Sequence, residues 1–125
     1  MKAKIEIVCP KCTKKAAFYS LTEIRYRQVV PAINGKTVCT SCGYNDNHLF
    51  SSTDYYYAIP VNTRFLYART KEGLLSLLTY FKKNNRLHGD PEMDFPKEFY
   101  VNRLTIIKKI EKIIAEERKA ISKNH

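Results

Sequence analysis

The chain has no long apolar segment. Its uninterrupted apolar stretches, such as residues 29–33, are far shorter than the roughly 20 residues that cross a bilayer. Residues 5–9 include Glu6 and are too few for the apolar core of a signal peptide. We therefore expect a cytoplasmic protein without a membrane anchor.

Sequence patterns of common catalytic sites are missing as well. The four glycines form no phosphate-binding loop, no nucleophile elbow occurs, and no histidine stands at motif spacing from a carboxylate. The His-x-Glu element of zinc-dependent deaminases is also absent. With 125 residues, the chain is too short for an enzyme with a separate cofactor domain. We therefore expect a non-catalytic protein.

Acidic residues are few relative to basic ones. Lys and Arg number 22 against 12 Asp and Glu, which gives a net charge of +10. Residues 1–45 contain eight basic side chains and only two acidic ones. This balance favours an anionic partner. The alternative is that the surplus of lysine only keeps a small domain soluble.

Cysteine is confined to two pairs, Cys9-Pro10-Lys11-Cys12 and Cys39-Thr40-Ser41-Cys42. Each Cys-x-x-Cys loop turns two sulfurs toward one point, and two loops supply the four thiolates that zinc prefers. Gly43 follows the second pair, where the backbone often needs a positive φ. Four thiolates fill a tetrahedron and leave no position for a substrate. We predict one structural zinc ion bound by Cys9, Cys12, Cys39 and Cys42.

Three other interpretations of the cysteines stay open. Disulfides are disfavoured because a chain without an export signal meets a reducing compartment. A thioredoxin-like redox motif needs only one pair, close to a strand-helix-strand unit. Iron-sulfur ligation would use the same four sulfurs.

Strand patterns surround the cysteines, and helical patterns follow them. Alternation predicts strands over residues 14–21, 24–30, 54–61 and 64–69, with a tight turn at Asn34-Gly35. Apolar residues at helical spacing predict one helix over residues 71–84 and another over residues 97–122. In the second helix the apolar stripe comprises Leu104, Ile107, Ile110, Ile114 and Ile121. The predicted fold class is α+β, with an N-terminal antiparallel β zinc ribbon in residues 1–69 and two C-terminal helices in residues 70–125 packed on it.

Several short motifs occur in a recognisable order. They are Cys39-Thr-Ser-Cys42-Gly43, Ile59-Pro60-Val61, Phe65-Leu-Tyr-Ala-Arg69, the helix after residue 70, and Phe95-Pro96. This order resembles small bacterial proteins that contain a transcription-factor-IIB-type zinc ribbon, over about residues 9–118. Tyr67 and Gly73 stand where that group favours tryptophan and histidine. The resemblance implies the zinc-ribbon fold and zinc binding by the four cysteines, and it implies no activity.

Two hypotheses for the function follow. The first is nucleic-acid binding through a basic N-terminal surface, where Tyr19 and Tyr26 either offer stacking surfaces or are half-buried strand residues. The candidate contact residues are Lys11, Lys14, Lys15, Arg25, Arg27 and Lys36. The second is docking on a protein, through the ribbon or through the C-terminal helix, whose isoleucines need a covering surface. A homodimer through that helix is one form of the second hypothesis.

Overall fold

The structure, a computed structural model, describes residues 2–25, 27–83 and 95–123. It has antiparallel sheets and helices and confirms the predicted α+β class. The strands are β1 (Lys2–Val8), β2 (Lys15–Arg25), β3 (Gln28–Pro31), β4 (Asn34–Val38), β5 (Asn45–Leu49), β6 (Tyr57–Val61) and β7 (Arg64–Ala68). The helices are a 3-10 turn (Ser52–Asp54), α1 (Lys71–Lys83), α2 (Lys97–Val101) and α3 (Arg103–Lys123).

The main sheet has the strand order β1-β2-β4-β5, and β3 pairs with the far end of β2. Val8 lies opposite Lys15, and Ala17 lies opposite Val38, which in turn lies opposite Asn45. The turn between β1 and β2 and the turn between β4 and β5 therefore lie at the same end of the sheet.

By contacts, the chain divides into two compact units. The first comprises Met1–Ala58 and Tyr67–Lys71, and the second comprises Ile59–Leu66 and Glu72–His125. The hairpin of β6 and β7 therefore contributes residues to both. The predicted domains, residues 1–69 and 70–125, stay a prediction.

One face of the main sheet forms the core of the first unit. Alternate residues of β1 and β2 point inward, so that Ile5, Ile7 and Phe18 are almost fully buried. The Phe18 ring stacks on Phe50, with 5.5 Å between ring centroids. Of the three consecutive tyrosines at residues 55–57, Tyr57 is buried.

The predicted turn at Asn34-Gly35 is wrong, because both residues belong to β4. A Cβ at Gly35 would overlap the backbone oxygen of Tyr19 and lie 2.7 Å from the ring of Phe18. The glycine therefore permits a close approach between β4 and β2 rather than a reversal of the chain.

The predicted strand over residues 24–30 is also wrong. β2 continues to Arg25, the chain reverses, and β3 begins at Gln28. Arg27 lies in this turn with a φ of 64°. Arg25 and Arg27 therefore do not share a strand face.

The second unit is built on the helices. Leu74, Leu77 and Phe81 form the buried stripe of α1, which confirms the predicted helix. Phe81 stacks on Phe95, and Arg103 donates a hydrogen bond to the carbonyl oxygen of Phe81 at 2.9 Å. A cation at a helix C-terminus satisfies a carbonyl that has no partner within the helix.

The predicted C-terminal helix is interrupted at Asn102, where φ is −96° and ψ is 22°. The carbonyl oxygen of Glu98 accepts hydrogen bonds from both the side chain of Asn102, at 2.8 Å, and its backbone N–H, at 3.1 Å. Beyond the break, Ile106, Ile107 and Ile110 are buried, whereas Leu104 is 64% exposed. Leu104 was therefore wrongly assigned to the apolar stripe, and Ile106 was missed. The segment between the two predicted helices, residues 85–96, lies almost entirely outside the described residues.

Candidate metal centre and basic surface

Two loops of the first unit bring the four cysteines together. Cys9 and Cys12 lie in the turn between β1 and β2, and Cys39 and Cys42 lie in the turn between β4 and β5. Because β2 pairs with β4, the two turns are neighbours at one end of the sheet. The pairing of the strands therefore positions the cysteine pairs, which have 26 residues between them in the sequence.

The two loops share one hydrogen-bond pattern. The N–H of the first cysteine donates to a carbonyl five residues on, from Cys9 to Lys14 at 2.7 Å and from Cys39 to Tyr44 at 2.8 Å. The N–H after the second cysteine donates back, from Thr13 to Cys9 at 3.0 Å and from Gly43 to Cys39 at 2.9 Å. Thr13 and Gly43 both have a positive φ, 66° and 82°. The positive φ predicted at Gly43 is confirmed, and Thr13 adopts it without being glycine.

The four sulfurs have the spacing of a tetrahedral metal site. All four lie within 4.8 Å of one another. The Sγ atoms of Cys9 and Cys42 are 3.6 Å apart, as are those of Cys12 and Cys39. A tetrahedron with sulfur about 2.3 Å from its centre has edges of about 3.8 Å. The residues present therefore fit a zinc ion.

The same distances argue against disulfides. All four cysteines are free, and 3.6 Å between sulfurs is far beyond the bonding distance of about 2.0 Å. Cys9 and Cys39 are buried, and Cys12 and Cys42 are partly buried. Ile5, Ile7, Ala16 and Phe18 belong to the same buried cluster as Cys9 and Cys39. The site is thus part of the core of the first unit.

Backbone N–H groups aimed at the sulfurs distinguish the thiols. Burial raises the pKa of Cys9, but the N–H groups of Cys12 and Lys11, each 3.4 Å from its sulfur, help lower that pKa to about 6. The N–H of Lys14 lowers the pKa of Cys12, but burial and the neighbouring sulfurs raise it to about 12. Hydrogen bonds from the backbone of Cys42 and Ser41 lower the pKa of Cys39. The arrangement favours thiolate at Cys9 and Cys39, and a retained proton at Cys12.

The predicted basic residues are distributed along β2 and its neighbours. Lys11 and Lys14 are exposed in the first cysteine loop, Lys36 is exposed on β4, and Arg27 is exposed in the β2–β3 turn. The backbone of Arg25 belongs to β2, whereas its side chain is outside the part of the chain that the structure describes.

Lys15 differs from the other predicted contact residues. Its Nζ lies 3.2 Å from a carboxylate oxygen of Glu6 and also donates to the hydroxyl of Tyr57. It further lies 4.9 Å from the ring centroid of Tyr57. The ion pair compensates the charge of Lys15 and makes it less available to a phosphate than Lys11 or Lys14.

Lys4 was not among the predicted contact residues, but it lies directly opposite Tyr19 in the sheet and is exposed. The sequence feature that could have identified Lys4 is the strand alternation in residues 2–8, where Ile5 and Ile7 occupy one face and Lys4 and Glu6 occupy the other. The side chain of His48 is only 15% exposed, packs edge-on against Phe18, and lies 2.9 Å from Asp54.

Comparisons with known proteins add no relative: no family model, curated protein or solved structure matches the chain. The resemblance to proteins with a transcription-factor-IIB-type zinc ribbon therefore stays a prediction. Among the described residues, no helix is long and apolar enough to cross a membrane.

Proposed function

We propose that this protein is a non-catalytic zinc ribbon that binds nucleic acid through a basic surface of its N-terminal part. The observation that carries the metal site is the cluster of four Sγ atoms within 4.8 Å of one another. When bound, zinc supplies a dication that holds four thiolates and stabilises the folded state. The family resemblance and a cytoplasmic location, where thiols stay reduced, belong to the same proposal.

The donor set supports a structural role. Four sulfur ligands complete a tetrahedron, and catalytic zinc sites instead keep one position for water or substrate. Cys9 and Cys39 are each 1% exposed, so the ion would lie against the core. The ligands are positioned by two backbone turns of the same pattern, which the pairing of β2 with β4 brings to one end of the sheet.

Metal content tests this part of the proposal. We expect one zinc ion per purified chain by elemental analysis, and its loss in Cys12→Ser. Ser41→Ala is the matched control, because Ser41 is exposed in the second loop and is not a ligand. A chain without metal, or Cys12→Ser that retains a full equivalent, would contradict a site made of four thiolates.

Charge supports the nucleic-acid part of the proposal. The net charge is +10, and the first 45 residues contain only two acidic side chains. One of these, Glu6, is engaged by Lys15. Exposed Lys11, Lys14, Arg27 and Lys36 remain for contacts with phosphates.

Co-purification gives a direct test. The ratio of absorbance at 260 nm to that at 280 nm should be high for protein purified at low salt. It should fall after a high-salt wash, because phosphate contacts weaken as salt rises. A ratio typical of pure protein at low salt, together with no binding of added nucleic acid, would contradict the proposal.

Docking on a protein is the second candidate. Val101 and Leu104 are 74% and 64% exposed and three residues apart. Of the predicted stripe, Ile107 and Ile110 are already buried within the chain and are therefore unavailable to a homodimer. Sedimentation of the purified protein at micromolar concentration measures self-association. Docking through this helix requires that self-association, or the binding of a partner protein, is lost in Leu104→Ser.

A further inference from the structure

One face of the main sheet presents an aromatic ring between cationic side chains. Along β2, Phe18 and Ser20 are buried, whereas Tyr19 and Leu21 are 39% and 64% exposed. Strand alternation therefore places Tyr19 and Leu21 on the face opposite the core.

Cross-strand register gives Tyr19 its neighbours. Lys4 lies opposite it on β1 and Lys36 lies opposite it on β4, and Asn47 lies opposite Lys36 on β5. Lys4, Lys36 and Asn47 are all exposed. With about 4.8 Å between strands, this row of four side chains spans about 14 Å.

A groove of about 980 Å³ runs over this face. Its lining includes Tyr19, Leu21, Lys36, Asn47 and Leu49. Asn34 also lines it and lies opposite Leu49. The groove thus combines an aromatic ring, aliphatic side chains, amides and an ammonium group.

The carboxylates of this face lie on either side of the row and not within it. By alternation, the acidic residues on the same side of β1 and β2 are Glu6 and Glu23. Glu6 pairs with Lys15 near the cysteine end, and Glu23 lies beyond Leu21 toward the β2–β3 turn. Within the part of the sheet that the structure describes, Lys4 and Lys36 therefore flank Tyr19 with no carboxylate between them.

We propose that this face binds single-stranded nucleic acid, with a base stacked on Tyr19 and phosphates held by Lys4 and Lys36. The inference rests on the proposed function and assigns it a surface and a substrate class. A ring on the face of a sheet can stack only on a base whose face is free, which a duplex does not offer. Asn34 and Asn47 provide donors and acceptors for base edges. An acidic peptide would use the lysines but would have no need of the ring between them.

Anisotropy titrations of the zinc-loaded protein test the proposal. The probes are labelled oligo(dT) and oligo(U) of about 15 nucleotides, and a duplex of the same length, at about 50 mM salt. Of the two single strands, we expect the one with the higher affinity to exceed the affinity of the duplex at least about tenfold. Tyr19→Thr, which keeps strand propensity, should weaken single-strand binding at least about fivefold, and Tyr19→Phe should stay within about twofold.

The contribution of Lys4 and Lys36 is measured separately, through the salt dependence of binding. The double variant Lys4→Ala/Lys36→Ala should make the dependence of log K on log salt shallower by about 1.4 for single strands, because two phosphate contacts are lost. The control Lys108→Ala/Lys112→Ala removes the same charge from exposed positions of α3 and should leave this slope unchanged. Circular dichroism of each variant checks that it folds.

The outcomes separate the two proposals. If single strands bind but Tyr19→Thr binds like the parent protein, or the duplex binds equally well, this inference is overturned and the proposed function stands. If no probe binds at low salt, both are overturned. If the Lys4/Lys36 variant alone loses affinity, equally for all probes, the face is a charged patch without base stacking and the inference fails.

Discussion

Gly43 is the residue whose conformation most directly shapes the second cysteine loop. Its φ of 82° is one that other residues adopt at a cost, and its N–H closes the loop onto Cys39. A Cβ added there would meet nothing within 4 Å, so the cost of substitution comes from the backbone alone.

We therefore expect Gly43→Ala to lower the free energy of unfolding of the zinc-loaded protein by about 1 kcal/mol. Denaturant titration measures this, with Ser41→Ala as the control within the same loop. Equal stability of Gly43→Ala and the parent protein would show that the loop tolerates another backbone conformation.

The pKa values of the thiols predict how the affinity for zinc depends on pH. In the metal-free protein, a pKa of about 6 leaves Cys9 mostly ionised at neutral pH, whereas a pKa of about 12 leaves Cys12 protonated. Zinc must displace that proton, so affinity should rise about tenfold per pH unit for each proton released. Below a pH of about 6, Cys9 also takes up a proton and the dependence should steepen.

Competition with a chromophoric chelator at several pH values measures this dependence. We expect at least one proton released per zinc bound near neutral pH, and more in acid. An affinity that does not change between about pH 6 and pH 8 would contradict binding to thiolates.

The cysteine loops are elements that the metal and the sheet stabilise together. Their N–H groups are held by carbonyls of the loops themselves, from Cys9 to Lys14 and from Cys39 to Tyr44. Without metal, four sulfurs crowded within 4.8 Å lose the ion that would compensate their charge.

Chelation should therefore speed amide hydrogen exchange at Cys9, Thr13, Cys39 and Gly43, which NMR or mass spectrometry can follow. The amide of Leu77, on the buried stripe of α1, serves as an internal reference. Unchanged exchange in both loops after complete removal of metal would show that the sheet alone holds them.

At the scale of helices and strands, the sequence predicted the features that depend on residues close together in the chain. The stripe of α1 has helical spacing, and the spacing of the cysteines predicted a cluster. By contrast, β5 (Asn45–Leu49) is polar and has little strand propensity, and its pairing with β4 alone makes it a strand. Gly35 looked like a turn residue because its contacts with β2 are not local in sequence.

In the candidate nucleic-acid surface, too, residue types could be predicted from the sequence, but contacts between strands could not. Lys36 was predicted, but its position opposite Tyr19 follows only from the register between β2 and β4. Lys4 was missed because β1 itself was not assigned as a strand. The ion pair of Lys15 with Glu6 joins residues of different strands, so charge counts along the sequence could not indicate it.

For the whole molecule, the dominant electrostatic feature is its net charge of +10. Contacts with several phosphates release counterions, so affinity for nucleic acid should fall steeply with salt, with a slope of log K against log salt of about −0.7 per contact for single strands. Lys11→Ala/Lys14→Ala should make the slope shallower than in the parent protein, and Lys108→Ala/Lys112→Ala is the charge-matched control. A slope near zero for the parent protein would contradict electrostatic binding.

The proposed metal site of the first unit consists of one zinc ion held by four thiolates. X-ray absorption at the zinc edge of the purified protein measures the number, identity and distance of the ligands. We expect a single shell of four sulfur ligands at about 2.3 Å and no nitrogen or oxygen ligand. A shell that contains nitrogen or oxygen, fewer than four sulfurs, or iron in place of zinc would contradict it.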